Sequence, residues 1–158
     1  MGAILCNEEA ARAIHAGMHG TTFGGGPLAC AVAIAVIDTL EKDHLLQHAS
    51  ELGEYFMASL RGLAKRHECV VDVRGKGLMI GAELDSAELA KLTVTEMLKQ
   101  RIVINCTSDT TLRFLPPYIL DRTQVDAAVA ALDEIFTTHA GHYAGANTSN
   151  AAGGHNRG

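Results

Sequence analysis

The sequence has no tryptophan, and its aromatic side chains amount to three Tyr and four Phe in 158 residues. A core built from it must rely on aliphatic packing. Its three prolines are Pro27, Pro116 and Pro117, so rigid turns are confined to two places. No basic tract occurs. The 13 Lys and Arg face 18 Asp and Glu, giving a formal net charge of −5, which offers nucleic-acid binding little support. The longest apolar stretch, Leu28 to Ile37, falls well short of the roughly 20 residues that span a bilayer, so no membrane role is expected. A basic segment followed by an apolar core and a small-residue cleavage site is lacking, and a cytoplasmic location is the expectation. CxxC, HExxH and GxSxG are absent. The cysteines, Cys6, Cys30, Cys69 and Cys106, are widely spaced in apolar surroundings and read as reduced, buried thiols.

What is present is a series of short periodic segments. Ala3 to Cys6 suits a buried strand, and Asn7 is placed to cap a helix from Glu8 to about Ala16, with Glu8 and Glu9 in its first turn. A glycine-rich loop follows, from His19 to Pro27. Pro27 opens a helix to about Leu40 that is apolar almost all round and is therefore expected to be buried on most sides. Asp43 is placed to cap a third helix, where Leu45, Ala49, Leu52, Phe56, Leu60 and Leu63 recur at steps of four and three. Val70 to Val73 and Leu78 to Leu84 read as strands parted by Arg74-Gly75-Lys76-Gly77. Asp85 with Glu88 resembles a capping pair for a helix to about Gln100. Ile102 to Asn105 and Thr111 to Phe114 read as short strands, the second stopped by Pro116-Pro117. Asp121 with Gln124 opens a last helix bearing Val125, Ala128, Val129, Leu132, Ile135 and Phe136. The body is expected to be α+β, three or four short strands covered by helices. Residues 139–158, rich in Gly, Ala, Asn, Ser and His without periodicity, read as a disordered tail.

Three segments bear on chemistry. Gly20-Thr21-Thr22-Phe23-Gly24-Gly25-Gly26 sets two hydroxyls and a glycine run before a helix start. Successive N–H groups in such a turn can hold a phosphate, and the same composition suits a hinge. Gly75-Lys76-Gly77-Leu78-Met79-Ile80-Gly81 misses the dinucleotide fingerprint by one residue and leads into a strand, so it reads as a bend. Arg113 stands among Leu112, Phe114, Leu115, Pro116 and Pro117. It is either a cleft-lining guanidinium suited to a carboxylate or a solvent-facing residue of an edge strand. His15 with His19, and His44 with His48, have the i, i+4 spacing of metal ligands, but they read as surface histidines and no metal site is expected.

Taken together, these segments carry a resemblance. His19-Gly20-Thr21-Thr22-Phe23-Gly24-Gly25-Gly26-Pro27-Leu28-Ala29-Cys30 resembles the H-G-[ST]-T-[FY]-G-G-N-P-L-A-C signature of class III aminotransferases, which are fold-type I enzymes dependent on pyridoxal 5′-phosphate (PLP). Val73 to Leu84 is similar to their V-R-G-x-G-L-M-x-G-x-E-L segment, and Leu112 to Pro117 to their L-R-F-x-P-P segment. The resemblance implies the small C-terminal domain of such an enzyme with a remnant of the large α/β domain before it. Residues 1–26 would be that remnant, including the cofactor-phosphate loop. Residues 27–138 would be a helical connection and the small α/β domain.

The same resemblance implies roles. Thr22 matches the residue that donates to the PLP phosphate of the neighbouring subunit in a homodimer. Thr21 matches one at the substrate entrance. Arg113 matches the arginine that receives a substrate carboxylate in one half-reaction and can pair with a glutamate in the other. Full-length members transfer an amino group between N-acetylornithine, or a related diamino acid, and 2-oxoglutarate. Gly26 stands where the family usually has Asn. The family's Schiff-base lysine, the acidic partner of the pyridine nitrogen, the aromatic stacked on the ring and the other carboxylate-binding Arg belong to upstream segments that this sequence lacks; its first lysine is Lys42. The chain alone is therefore expected to be catalytically incompetent. The alternative is a non-catalytic remnant or a partner-binding subunit of a split enzyme.

Overall fold

The structure is a computed structural model that describes residues 2–143. The chain divides into two units, Met1–Leu45 and Leu46–Gly158.

The first unit carries two helices, α1 (Glu8–Ala11) and α2 (Pro27–Lys42). Asn7 caps α1 as expected, its Oδ1 accepting from the Ala10 amide at 2.9 Å. The helix stops after one turn, short of Ala16. Ala3 to Cys6 forms no strand, and Leu5 is fully exposed. A strand needs a ladder partner, and all the strands described belong to the second unit. Pro27 opens α2 as expected, but no residue of α2 is buried, and Leu28 remains 79% exposed. The apolar circumference of that helix thus finds no cover within its own unit. Asp43 is the C-cap of α2, not the N-cap of the next helix. The thiols also depart from expectation: Cys6 is exposed, Cys30 and Cys106 are half-buried, and only Cys69 is buried.

The second unit is built on α3 (Leu45–Ala64), β1 (Val70–Lys76), β2 (Met79–Leu84), α4 (Ala87–Lys99), β3 (Asn105–Thr107), β4 (Thr111–Phe114) and α5 (Arg122–Tyr143). The four strands form an antiparallel sheet in the order β1-β2-β4-β3. Its register sorts the side chains cleanly. Val73, Ala82 and Leu112 oppose one another in the middle of one face, with Ile80 opposite Phe114 beside them. All five are buried. The α3 stripe closes over this face through Ala49, Leu52, Phe56, Leu60 and Leu63, as its periodicity predicts, and Phe56 meets Phe114 edge-on at 5.1 Å. From α5 come Val125, Leu132, Ile135 and Phe136. Helix α4 packs on α5 and on the sheet.

Caps and strand ends show where local reading failed. Ser86, not Asp85, is the N-cap of α4, its Oγ accepting from the Leu89 amide. The Asp121/Gln124 pair does form a reciprocal capping box. The Gln124 amide donates to Asp121 Oδ1 at 2.8 Å, and the Asp121 amide donates to Gln124 Oε1 at 3.1 Å. Strand β3 occupies Asn105–Thr107, not Ile102 to Asn105. Its partner β4 ends at Phe114 and runs into Leu115-Pro116-Pro117; the same register continued would set Pro116 opposite Ile102, where a proline has no amide to give the ladder. Helix α5 continues through Tyr143, so residues 139–143 are helical; the remainder of the expected tail, 144–158, lies outside the described residues.

One backbone approach sets how α3 seats on the β1–β2 hairpin. A Cβ on Gly53 would lie 2.1 Å from the Gly77 carbonyl oxygen, and Gly77 itself turns the hairpin at φ +54°. Helix and turn therefore touch backbone to backbone. Gly53→Ala should raise intrinsic helix propensity by about 1 kcal/mol. It is nevertheless expected to lower the midpoint of urea unfolding, followed by circular dichroism. A raised midpoint would show that the contact is looser than described.

Candidate functional site

Thr21 and Thr22 lie together in the exposed loop of the first unit, ahead of α2. Gly25 adopts φ +72°, and a Cβ on Gly24 would fall 2.1 Å from Thr21 Cγ2, so the loop folds tightly where side chains are missing. Among the described residues, neither threonine hydroxyl has a hydrogen-bond partner. Gly26 is the N-cap of α2 and has no side chain to satisfy the first turn. Pro27 has no N–H of its own, leaving the amides of Leu28 and Ala29 as open donors. Free hydroxyls, a left-handed glycine and an uncapped helix start together suit an anion of phosphate size.

Arg113 belongs to the second unit and points to the sheet face opposite the helices. That face is polar, and its residues are in register. Arg74, Gly81, Arg113 and Asn105 form one row across all four strands; Asp72, Glu83, Thr111 and Thr107 form the next. The two arginines of the row are paired very differently. Arg74 donates from Nη1 to Asp72 Oδ2 at 2.7 Å and from Nη2 to Glu83 Oε2 at 2.8 Å. Glu83 also accepts from Thr110 Oγ1 at 2.5 Å and Thr111 Oγ1 at 2.7 Å. These two hydroxyls, with the Arg74 guanidinium, hold the Glu83 carboxyl at a pKa of about 2. Glu83 sits diagonal to both arginines yet is committed to Arg74. Among the described residues Arg113 makes one side-chain hydrogen bond: its Nε donates to Asn105 Oδ1 at 3.1 Å. Among the described residues no carboxylate pairs with it.

In the sequence, apolar neighbours mark out Arg113, whereas nothing local gives Arg74, Glu83 or Asn105 a role. The alternation Asp72-Val73-Arg74 does mark an outward polar face, but only the pairing with β2 and β4 says which acid meets which base. Of the histidines, His48 is engaged through Nε2 with the Leu120 carbonyl oxygen at 2.8 Å. His67 pairs with Asp133 at 2.5 Å, where it and Arg66 hold the Asp133 carboxyl below the usual carboxylate range. That pair ties the turn after α3 to α5. Leu115 and Pro116 line two open clefts of about 520 Å³ each; Arg113 lines neither.

Comparison with known proteins agrees with the motifs. The profile of the family described as aminotransferase class-III matches residues 1–136. The chain belongs to the class III aminotransferases. It is 46% identical over 139 residues to the acetylornithine aminotransferase of Methanocaldococcus jannaschii, covering 87% of this chain and 34% of that protein. Among solved structures it resembles the acetylornithine aminotransferase of Elizabethkingia anophelis with a TM-score of 0.74 at 28% identity, over 85% of this chain and 36% of the other. It also resembles an ornithine aminotransferase of Toxoplasma gondii, described with partial occupancy of PLP at its active site. There the TM-score is 0.73 at 29% identity, over 84% of this chain and 32% of the other. The chain spans about a third of the length of the curated relatives it matches.

The Glu83 network makes a pH prediction. A carboxyl whose folded pKa lies near 2, against an ordinary 4.5, lends stability that is complete above pH 4.5 and is lost as pH falls towards 2. The midpoint of thermal unfolding should therefore fall more steeply over that interval in the native sequence than in Glu83→Gln. Parallel slopes would remove Glu83 from the network.

Proposed function

We propose that this chain supplies the cofactor-phosphate loop and the carboxylate-receiving arm of a PLP-dependent aminotransferase. The reaction would move an amino group between N-acetylornithine, or a related diamino acid, and 2-oxoglutarate. The observation that carries this reading is the unequal pairing of the two arginines: Arg74 is neutralised by Asp72 and Glu83, while Arg113 keeps its terminal nitrogens for an incoming carboxylate.

The loop fits a phosphate for the reasons given above, and PLP carries one. When bound, PLP supplies an electron-withdrawing ring that stabilises charge at the carbon bearing the amino group. The chain's own residues do the holding. In the reading carried from the motifs, Thr22 donates its hydroxyl to the phosphate held by the neighbouring subunit of a homodimer, and the first amides of α2 add positive potential there. Thr21 lies at the substrate entrance. Arg113 fixes the carboxylate of the amino or oxo acid and so orients the opposite end of the substrate for reaction. Among the described residues no helix is long and apolar enough to cross a membrane.

The reactive amine is not among these residues. The first lysine of the sequence is Lys42, beyond the loop, and all five lysines are exposed. On this reading these 158 residues act together with large-domain residues that bring the lysine. The exposed apolar side chains of α2, among them Leu28, Val32 and Ile34, favour burial against such residues.

Borohydride reduction after incubation with PLP, followed by peptide mapping, is expected to find no lysine of the isolated chain labelled stoichiometrically. Combined with the upstream two thirds of a class III relative, the chain should support transamination. In that assembly Arg113→Lys should lower kcat/KM for the oxo acid about 100-fold, the loss expected when a bidentate, charge-assisted pair is broken. One stoichiometrically labelled lysine in the isolated chain, or an unchanged kcat/KM, would contradict the reading.

A further inference from the structure

We infer that Asn105 is a positioning residue for Arg113, selecting which edge of the guanidinium a carboxylate can reach. The inference rests on the reading of Arg113 as a carboxylate receptor.

A guanidinium presents two kinds of fork to a carboxylate: side-on, through Nε and one Nη, and end-on, through both Nη groups. Asn105 sits directly opposite Arg113 in the β3–β4 register, and its Oδ1 accepts from Nε at 3.1 Å. The side-on fork is thereby closed and the end-on fork left open. On the other flank β2 contributes Gly81, which has no side chain to compete for the Nη groups. Glu83, the acid diagonal to Arg113, is taken up by Arg74, Thr110 and Thr111. Every neighbour in the two rows thus either leaves Arg113 alone or, in the case of Asn105, holds it without charge. A neutral acceptor is the right choice for that task. It restrains a long, rotamer-rich side chain while leaving the positive charge available, whereas a carboxylate at the same place would hold the guanidinium and also quench it.

The test uses the full 158-residue chain, labelled with 15N, and 2-oxoglutarate as the titrant. Two quantities are read by NMR: exchange of the Arg113 Nε–H proton with water, and the affinity from backbone amide shifts of β3 and β4. Arg113→Ala should abolish the titration. Asn105→Ala should speed Nε–H exchange and weaken binding by about 3- to 10-fold, the effect of leaving one long side chain unordered. Asn105→Asp should keep exchange slow yet bind more weakly than Asn105→Ala. That reversal is not expected of a residue that merely stabilises the strand. If Arg113→Ala abolishes binding while Asn105→Ala leaves exchange and affinity unchanged, the positioning role is overturned and the carboxylate reading stands. If the native chain shows no titration, or titrates as Arg113→Ala does, the carboxylate reading falls and the positioning role falls with it.

Discussion

Because β2 and β4 pair with Ala82 opposite Leu112 and Gly81 opposite Arg113, a single offset decides the face of every side chain on these two strands. On one side the offset stacks Val73, Ala82 and Leu112 under the α3 stripe. On the other it aligns Arg74, Gly81, Arg113 and Asn105 in one row. A slip of one residue would send Leu112 to solvent and bury a guanidinium, exchanging apolar burial for an unpaired charge. Core and polar face therefore enforce the same register. The position of Arg113 is a consequence of packing beneath it as much as of its own contacts.

The polar face divides its charges with economy. Two acids, Asp72 and Glu83, are available to two arginines, and both go to Arg74. The threonine hydroxyls that hold Glu83 come from the same strand and loop that carry Arg113, so the segment that presents one arginine also engages the acid that might have neutralised it. What remains for Arg113 is an amide oxygen. In the first unit the same economy holds at the loop. Glycines remove the side chains that would cap α2 or satisfy the threonine hydroxyls, and donors are left unpaired among the described residues.

Much of this was legible in the residues. The α3 stripe, the Asp121/Gln124 box and the β4 strand before its prolines follow from local rules, and each is found as expected. The misread strands and the unburied helix share a physical cause, which is that burial and pairing depend on neighbours. Ala3 to Cys6 has the composition of a strand, and α2 that of a buried helix, but composition cannot supply the elements that would cover them. The displacement of β3 towards Thr107 follows from the end of the opposite strand at Phe114, just before its prolines. Of the candidate functional residues, the motifs pointed to Thr21 and Thr22 in the first unit and to Arg113 in the second. The division of labour between Arg74 and Arg113, and the place of Asn105, required the sheet register, which no single strand encodes.

The central claim is that Arg113 is the guanidinium this fold keeps free for a carboxylate. The most direct measurement is a crystal structure of the chain assembled with a complementing large-domain polypeptide, PLP and a dicarboxylate. The account predicts the carboxylate across the two Nη groups of Arg113, with Asn105 still on Nε and Arg74 still on Asp72 and Glu83. A dicarboxylate bound elsewhere, with Arg113 turned to bulk solvent, would contradict it.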